Sequence, residues 1–271
     1  MKRSDASMKT GGGRDRKIRN YRTFLVIAIF YVLGIFTSNY IVYTANKNIG
    51  DSVNSTGLIS SWQPYGFDLT WQTTSYVTGF LLILPVLLLI ILITNEFTYR
   101  TNRQNVIDGL SRQQFIDVKL CMALIIALIS TILVFITALL FASFSGTSFS
   151  ISKISGVGYF FLKALSYNLL AVMISVWVRR TGFAIGIFFI YMGAENIISQ
   201  LLNFWSVKIR TDTGWDLGSL GDYLPMNAVD SLLSFPDNPV KSMTKSAFST
   251  DYIWLSAVFA VAYLVFFFWF S

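Results

Sequence analysis

The sequence contains no histidine and only one cysteine, Cys121, among its 271 residues. Without histidine, the chain cannot contain a Ser-His-Asp triad, a histidine metal ligand or a histidine proton relay. A single cysteine excludes an internal disulfide and a cysteine cluster for zinc or iron–sulfur. Charged residues make up 13% of the chain, against about 25% in an ordinary soluble domain. These shortages argue against an intrinsic catalytic site and against a soluble globular protein.

Apolar residues, in contrast, make up 54% of the chain, and the mean hydropathy is +0.58. A bilayer core is crossed by about 20 apolar residues in a helix, and six runs approach that length. We therefore predict an all-α, polytopic membrane protein with a basic N-terminal segment at 1–23 and a single six-helix transmembrane domain at 24–271. Pro85 should kink the second helix without ending it. The predicted spans are 24–43, 77–94, 120–144, 156–178, 182–202 and 253–270.

The net charge of +7 comes from basic residues whose positions along the chain indicate the membrane topology. Of the 21 lysines and arginines, eight precede the first run, four lie between the second and third runs, and two lie between the fourth and fifth. Loops rich in lysine and arginine remain in the cytoplasm. We therefore expect both termini in the cytoplasm, and a membrane lipid surface rather than nucleic acid as the partner of these charges.

The predicted cytoplasmic loop at 95–119 carries two helix-start signals. Thr101 with Gln104, and Ser111 with Gln114, both have the spacing of a capping box. Gly109 is placed to end the helix that begins after Thr101. The sequence thus predicts a short surface helix, a turn, and a second helix that continues into span three. Such a surface helix can be a simple interfacial anchor or a docking element for a soluble partner.

The same loop resembles one from a known family. Glu96 at the end of span two, Thr101, the pair Ser111-Arg112 and Lys119 follow the pattern found in the membrane subunit of type-2 ABC transporters. Arg100 replaces the glycine that precedes the threonine in that pattern, which leaves the local turn of the backbone in question. Six spans, cytoplasmic termini and a long last outer loop extend the resemblance over the whole chain.

The resemblance implies a half-transporter in the bacterial cytoplasmic (inner) membrane. Two such subunits, identical or different, would pair, and two copies of an ABC ATP-binding subunit would dock beneath them, with further envelope proteins in some members. ATP and Mg²⁺ would bind that partner, and no cofactor is expected on this chain, which lacks a G-x-x-x-x-G-K-[ST] phosphate loop. The segment 101–109 would be the coupling helix. The implied docking residues are Thr101, Asn102, Arg103, Gln104, Val106, Gly109, Ser111 and Arg112, with Arg179 and Arg180 as a second contact.

Three functions remain open from the sequence. The leading one is a permease subunit of an ATP-driven exporter or extruder, without catalytic residues of its own. The second is a non-transporting membrane scaffold or envelope assembly factor, in which the loop helix is only a surface anchor. With either function, Arg179 and Arg180 could face lipid phosphates instead of a partner. The third, a secondary carrier or membrane-embedded enzyme, is disfavoured by the missing histidines.

Lys163 and Glu195 are ionisable residues inside predicted spans, where an unpartnered charge is costly. At about 1.5 Å per residue they lie at similar heights in neighbouring antiparallel helices. They could form an ion pair; alternatively, Lys163 could reach the outer interface and Glu195 could line a translocation path. Together with Glu96, they are the candidate structural or transport residues. The outer loop at 203–252 contains the alternating segment 227–235, which predicts a short amphipathic helix.

Overall fold

The computed structural model describes residues 5–55, 66–99, 111–144, 149–214, 216–236 and 252–270, without the side chains of residues 5–21, 49–55, 68 and 112. Over these residues the fold is helical and contains no strand. Six helices are long and apolar enough to cross a membrane. The prediction of an all-α protein with six membrane-spanning helices is confirmed. A helix suits such a sequence because it makes all of its backbone hydrogen bonds within one segment. The bilayer core offers no water as an alternative partner.

The helices follow the order of the apolar runs along the chain. The first two runs of the sequence become α1 and the pair α2–α3, and the remaining runs become α4, α5, α6 and α8. The bounds are α1 Asp5–Ser55, α2 Phe67–Gly79, a 3-10 turn Phe80–Leu82, α3 Ile83–Thr98, α4 Arg112–Phe144, α5 Ser155–Val178, α6 Thr181–Thr213, a second 3-10 turn Leu220–Tyr223, α7 Pro225–Ser231 and α8 Ile253–Phe270.

Helix α5 lies at the centre of the bundle. It packs against α2, α3, α4, α6, α7 and α8. Its side chains Phe160, Ala164 and Leu170 are almost completely buried. Helices α1, α6 and α8 instead expose most of their apolar side chains, as expected for surfaces that face hydrocarbon.

The second span is a single helical path with one irregular turn. The 3-10 turn Phe80–Leu82 separates α2 from α3 immediately before Pro85. A proline ring clashes with the carbonyl four residues earlier, which here belongs to Leu81. The helix continues on both sides of this turn, so Pro85 interrupts the span without ending it, as predicted.

Two predicted boundaries are wrong by about ten residues. The outer loop does not begin at 203, because α6 continues to Thr213 and ends where Gly214 adopts a left-handed φ of 74° and donates its N–H to the Arg210 carbonyl. Hydropathy falls before the helix ends, whereas glycine sets the true stop. The second span begins at Phe67, where the hydroxyls of Thr70 and Thr73 donate to backbone carbonyls four residues earlier and hide their polarity.

The spans alternate in direction, so the ends of the helices fall into two groups, one at each end of the bundle. We call the end with residues 95–99, 111–119 and 179–181 the basic end, and the end with residues 66–72, 149–155 and 213–236 the opposite end. The predicted coupling helix at 101–109 lies outside the part of the chain that the structure describes.

Candidate functional site

At the basic end, an ion pair closes the base of the loop between spans two and three. Lys119 of α4 donates to the carboxylate of Glu96 in α3. The Lys119 side chain is 3% exposed and that of Glu96 is 28% exposed, and the ammonium also lies 4.8 Å from the centre of the Phe115 ring. The sequence pattern had marked Glu96 and Lys119 separately, and the structure brings them together across the two ends of the loop.

The second capping box predicted for this loop is confirmed. The Ser111 N–H donates to Oε1 of Gln114 at 2.9 Å, and the Gln114 N–H donates to Oγ of Ser111 at 3.2 Å. This reciprocal pair satisfies two N–H groups that helix geometry leaves without partners. The start of α4 is therefore fixed at the point where the chain returns to the membrane.

The turn between α5 and α6 lies against the same end of span two. Arg179 adopts a left-handed φ of 57° and donates its N–H to the Ser175 carbonyl. Its guanidinium lies 5.7 Å from the centre of the Phe97 ring. One residue beyond Arg180, the Thr181 hydroxyl is hydrogen-bonded to that of Thr94 at 2.8 Å. Spans two, three and five are thus linked near the loop.

Of the docking residues implied by the resemblance, Ser111, Arg179 and Arg180 have described side chains, and all three are exposed at the basic end. Arg112 is the first residue of α4, but its side chain is not described. The others lie outside the described residues, and their role stays a prediction: Thr101, Asn102, Arg103, Gln104, Val106 and Gly109.

At the opposite end, the predicted pair of Lys163 with Glu195 is wrong. Nζ of Lys163 lies 3.1 Å from Oδ1 of Asp230 in α7. The Tyr167 hydroxyl, one turn further along α5, donates to Oδ2 of the same carboxylate at 2.9 Å. The Lys163 side chain is only 10% exposed, so its ammonium is enclosed by protein where it meets Asp230. The sequence reasoning considered only charges inside predicted spans and therefore overlooked Asp230.

Glu195 binds the first turn of the short helix α7. Its Oε1 accepts the N–H groups of Met226 at 2.6 Å and Asn227 at 2.9 Å. The first N–H groups of a helix have no partner within it, and Pro225 supplies none. The carboxylate of α6 thus provides the missing acceptor, and both charges embedded in spans hold the same outer segment.

Glu195 is the first residue of a polar stripe along α6. Further members follow at spacings of four, four, three and four residues, which keeps them on one helix face. The Gly221 N–H donates to Oδ1 of Asn203 at 2.7 Å, and the Ser206 hydroxyl donates to the Gly218 carbonyl. Sequence reasoning missed this stripe, although its spacing was the available signal. We call it the polar seam, and it comprises Glu195, Ser199, Asn203, Ser206 and Arg210.

The predicted amphipathic helix at 227–235 is confirmed in part. Helix α7 covers Pro225–Ser231, two residues earlier than expected at its start. Met226, Ala228 and Val229 are buried, and Leu232 and Leu233 continue the buried surface. The segment therefore belongs to the packed bundle rather than lying on its surface.

No protein-family model, curated protein or solved structure matches this chain. The fold is that of a multi-pass helical membrane protein. An ion pair joins spans two and three at the basic end, and a short helix is anchored between spans at the opposite end.

Proposed function

We propose that this chain is the permease subunit of a type-2 ABC transporter, working as an exporter or extruder. The observation that carries the proposal is the Glu96–Lys119 ion pair at the base of the loop at 100–110. A loop that receives force from a soluble partner must be joined rigidly to the spans that it moves. An idle surface anchor has no such requirement.

The contacts around the loop supply that rigidity. The Ser111–Gln114 capping box fixes the start of α4, while the Thr94–Thr181 hydrogen bond connects α3 to the first residue of α6. Displacement of the loop would therefore act on spans two, three and five together. A static scaffold would not depend on this connection, which is why we favour the transporter over the alternative of a membrane scaffold or assembly factor.

The remaining parts of the proposal rest on charge and on the family resemblance. The excess of lysine and arginine at the basic end supports its placement in the cytoplasm, in a bacterial inner membrane. Two copies of an ATP-binding subunit would dock there and supply ATP hydrolysis with Mg²⁺, and a second permease subunit would complete the pore. A cargo of apolar or amphiphilic character would suit so apolar a bundle.

The test is affinity purification of the tagged protein from its native membranes, followed by an ATPase assay. We expect an ATP-binding subunit to copurify, and Gly109→Pro and Arg112→Glu to abolish its recovery and the ATPase activity. Lys153→Glu at the opposite end is the matched control and should preserve both. Recovery of the intact protein without any ATPase would reject the transporter and favour the scaffold.

A further inference from the structure

A cleft between the first and second spans is not used by the proposed function. It lies between the basic-end halves of α1 and α3 and has a volume of about 260 Å³. Its walls are apolar and include Phe24 and Ile27 from α1 and Leu88 and Leu92 from α3, whereas Asn95 and Tyr99 stand at its rim. The cleft is therefore amphipathic along its length, with hydrocarbon walls and one polar end.

The length of the cleft matches one leaflet. On α3 the lining residues extend from Leu88 to Tyr99 at the rim, over which the helix rises about 16 Å, roughly half of the ~30 Å hydrocarbon core of a bilayer. A single acyl chain lying along α3 would cover this distance.

The cleft is open to the side. Helix α1 buries little of its surface, and Phe24 on the cleft wall is 42% exposed. An unfilled apolar gap loses dispersion contacts on its lining, and the lipid that surrounds the span in the bilayer can fill it. A hydrocarbon chain can enter sideways without passing through water.

The charge at the rim favours an anionic head group. Arg22, which is exposed, directly precedes Thr23 at the rim, and eight lysines and arginines occupy residues 1–22. The carboxylate among the lining residues, Glu96, is already paired with Lys119. Basic residues next to spans attract anionic lipids, and a guanidinium is well suited to phosphate.

We infer that this cleft binds an anionic phospholipid, with one acyl chain between α1 and α3 and its phosphate at Arg22. The bound lipid would contact Tyr99, the residue before the loop at 100–110, and would therefore stabilise the loop base. This inference does not depend on the proposed function, because lipid binding can be measured without any ATP-binding partner.

The experiment uses the full chain in nanodiscs with photoreactive phosphatidylglycerol that carries a mid-chain diazirine. We expect saturable labelling of peptides around residues 24–27 and 88–92, competed by unlabelled phosphatidylglycerol about fivefold better than by phosphatidylcholine. Leu92→Trp and, on the other wall, Ile27→Trp should each fill the cleft and reduce labelling severalfold. Ile129→Trp, at an exposed position of α4, is the matched control and should not.

The head-group part has its own variant. Arg22→Gln should remove the preference for phosphatidylglycerol while leaving labelling by the chain in place. Even, unsaturable labelling of all exposed helices would overturn the inference, as would unchanged labelling in both tryptophan variants. In a Cys121→Ser background, a disulfide between two copies through Ile27→Cys would also overturn it, because a second chain would then occupy the cleft.

Discussion

The two charged side chains embedded in spans hold the short helix α7 in place. Lys163 from α5 and Glu195 from α6 do not meet; each binds a different part of α7, one through the Asp230 carboxylate and the other through two backbone N–H groups. Each charge therefore has a partner that offsets its desolvation. The short helix is held between two spans by contacts that apolar packing alone would not orient.

The Lys163–Asp230 pair should show thermodynamic coupling. We expect Lys163→Met and Asp230→Asn each to lower the free energy of unfolding by about 1–3 kcal/mol, less than the ~3–5 kcal/mol of a fully buried pair, because Asp230 is 35% exposed. The double variant should cost less than the sum of the two. Thermal unfolding in detergent measures all three.

The matched control is the same cycle on Lys163 and Glu195, which lie on neighbouring helices without contacting each other in an ion pair. Lys163→Met combined with Glu195→Gln should be additive within about 0.5 kcal/mol. If the Lys163–Glu195 cycle showed the coupling and the Lys163–Asp230 cycle did not, the arrangement around α7 would be incorrect.

Glu195 should tolerate glutamine better than leucine. Glu195→Gln keeps an oxygen that accepts the N–H groups of Met226 and Asn227, whereas Glu195→Leu leaves the buried Met226 donor and the partly buried Asn227 donor without this acceptor, at about 1–3 kcal/mol for a buried donor. In a Cys121→Ser background, Ser231→Cys should react faster with a maleimide when Glu195 is leucine, since α7 is then released. Equal reaction rates for the glutamate, glutamine and leucine proteins would contradict this anchoring role.

At the scale of elements, the polar seam explains why the outer segment follows α6 so closely. Gly221 lies directly against the carbonyl and hydroxyl of Ser199, closer than any Cβ could approach. Its requirement is one of space, since its φ is not positive. The 3-10 turn Leu220–Tyr223 can therefore approach α6 this closely only because residue 221 has no side chain.

Gly221→Ala should displace this turn. Overpacking of this kind typically costs about 1–3 kcal/mol, and we expect a lower unfolding temperature and faster proteolysis within 214–236. Gly193→Ala is the matched control, because it lies in α6 with no atom within 4 Å of the added Cβ, and it should be neutral or stabilising by up to about 1 kcal/mol. Equal stability of the two variants would argue against the close contact.

The sequence was sufficient for the elements that rest on local signals. Six apolar runs predicted six spans, and the Ser111–Gln114 spacing predicted the start of α4, because both depend on neighbouring residues. It was insufficient where distant segments meet. The partner of Lys163 lies 67 positions away in a segment that hydropathy assigns to a loop, and nothing in the local pattern distinguishes Asp230 from an exposed aspartate.

For the whole molecule, alternating helices place residues 179–181 and 149–155 at different ends of the bundle. If the basic end is cytoplasmic, Arg180→Cys should react with a membrane-impermeant maleimide only after cells are permeabilised, in a Cys121→Ser background. Lys153→Cys, an exposed position at the opposite end, should react in intact cells. The reverse pattern would invert the orientation that we propose from the charge distribution.

The Glu96–Lys119 ion pair should matter to assembly more than to the isolated chain. Because Glu96 is 28% exposed, we expect Glu96→Gln or Lys119→Met to cost only about 1–3 kcal/mol in unfolding free energy. In the proposed complex, however, the loop at 100–110 would lose its fixed base. The amount of ATP-binding subunit that copurifies, and with it the ATPase activity, should therefore fall severalfold. The exchanged variant Glu96→Lys with Lys119→Glu should restore part of it, since the two side chains still attract across the loop. Loss of ATPase in strict proportion to loss of folded protein would instead assign the pair to stability alone, and the loop would then have no mechanical connection to the spans.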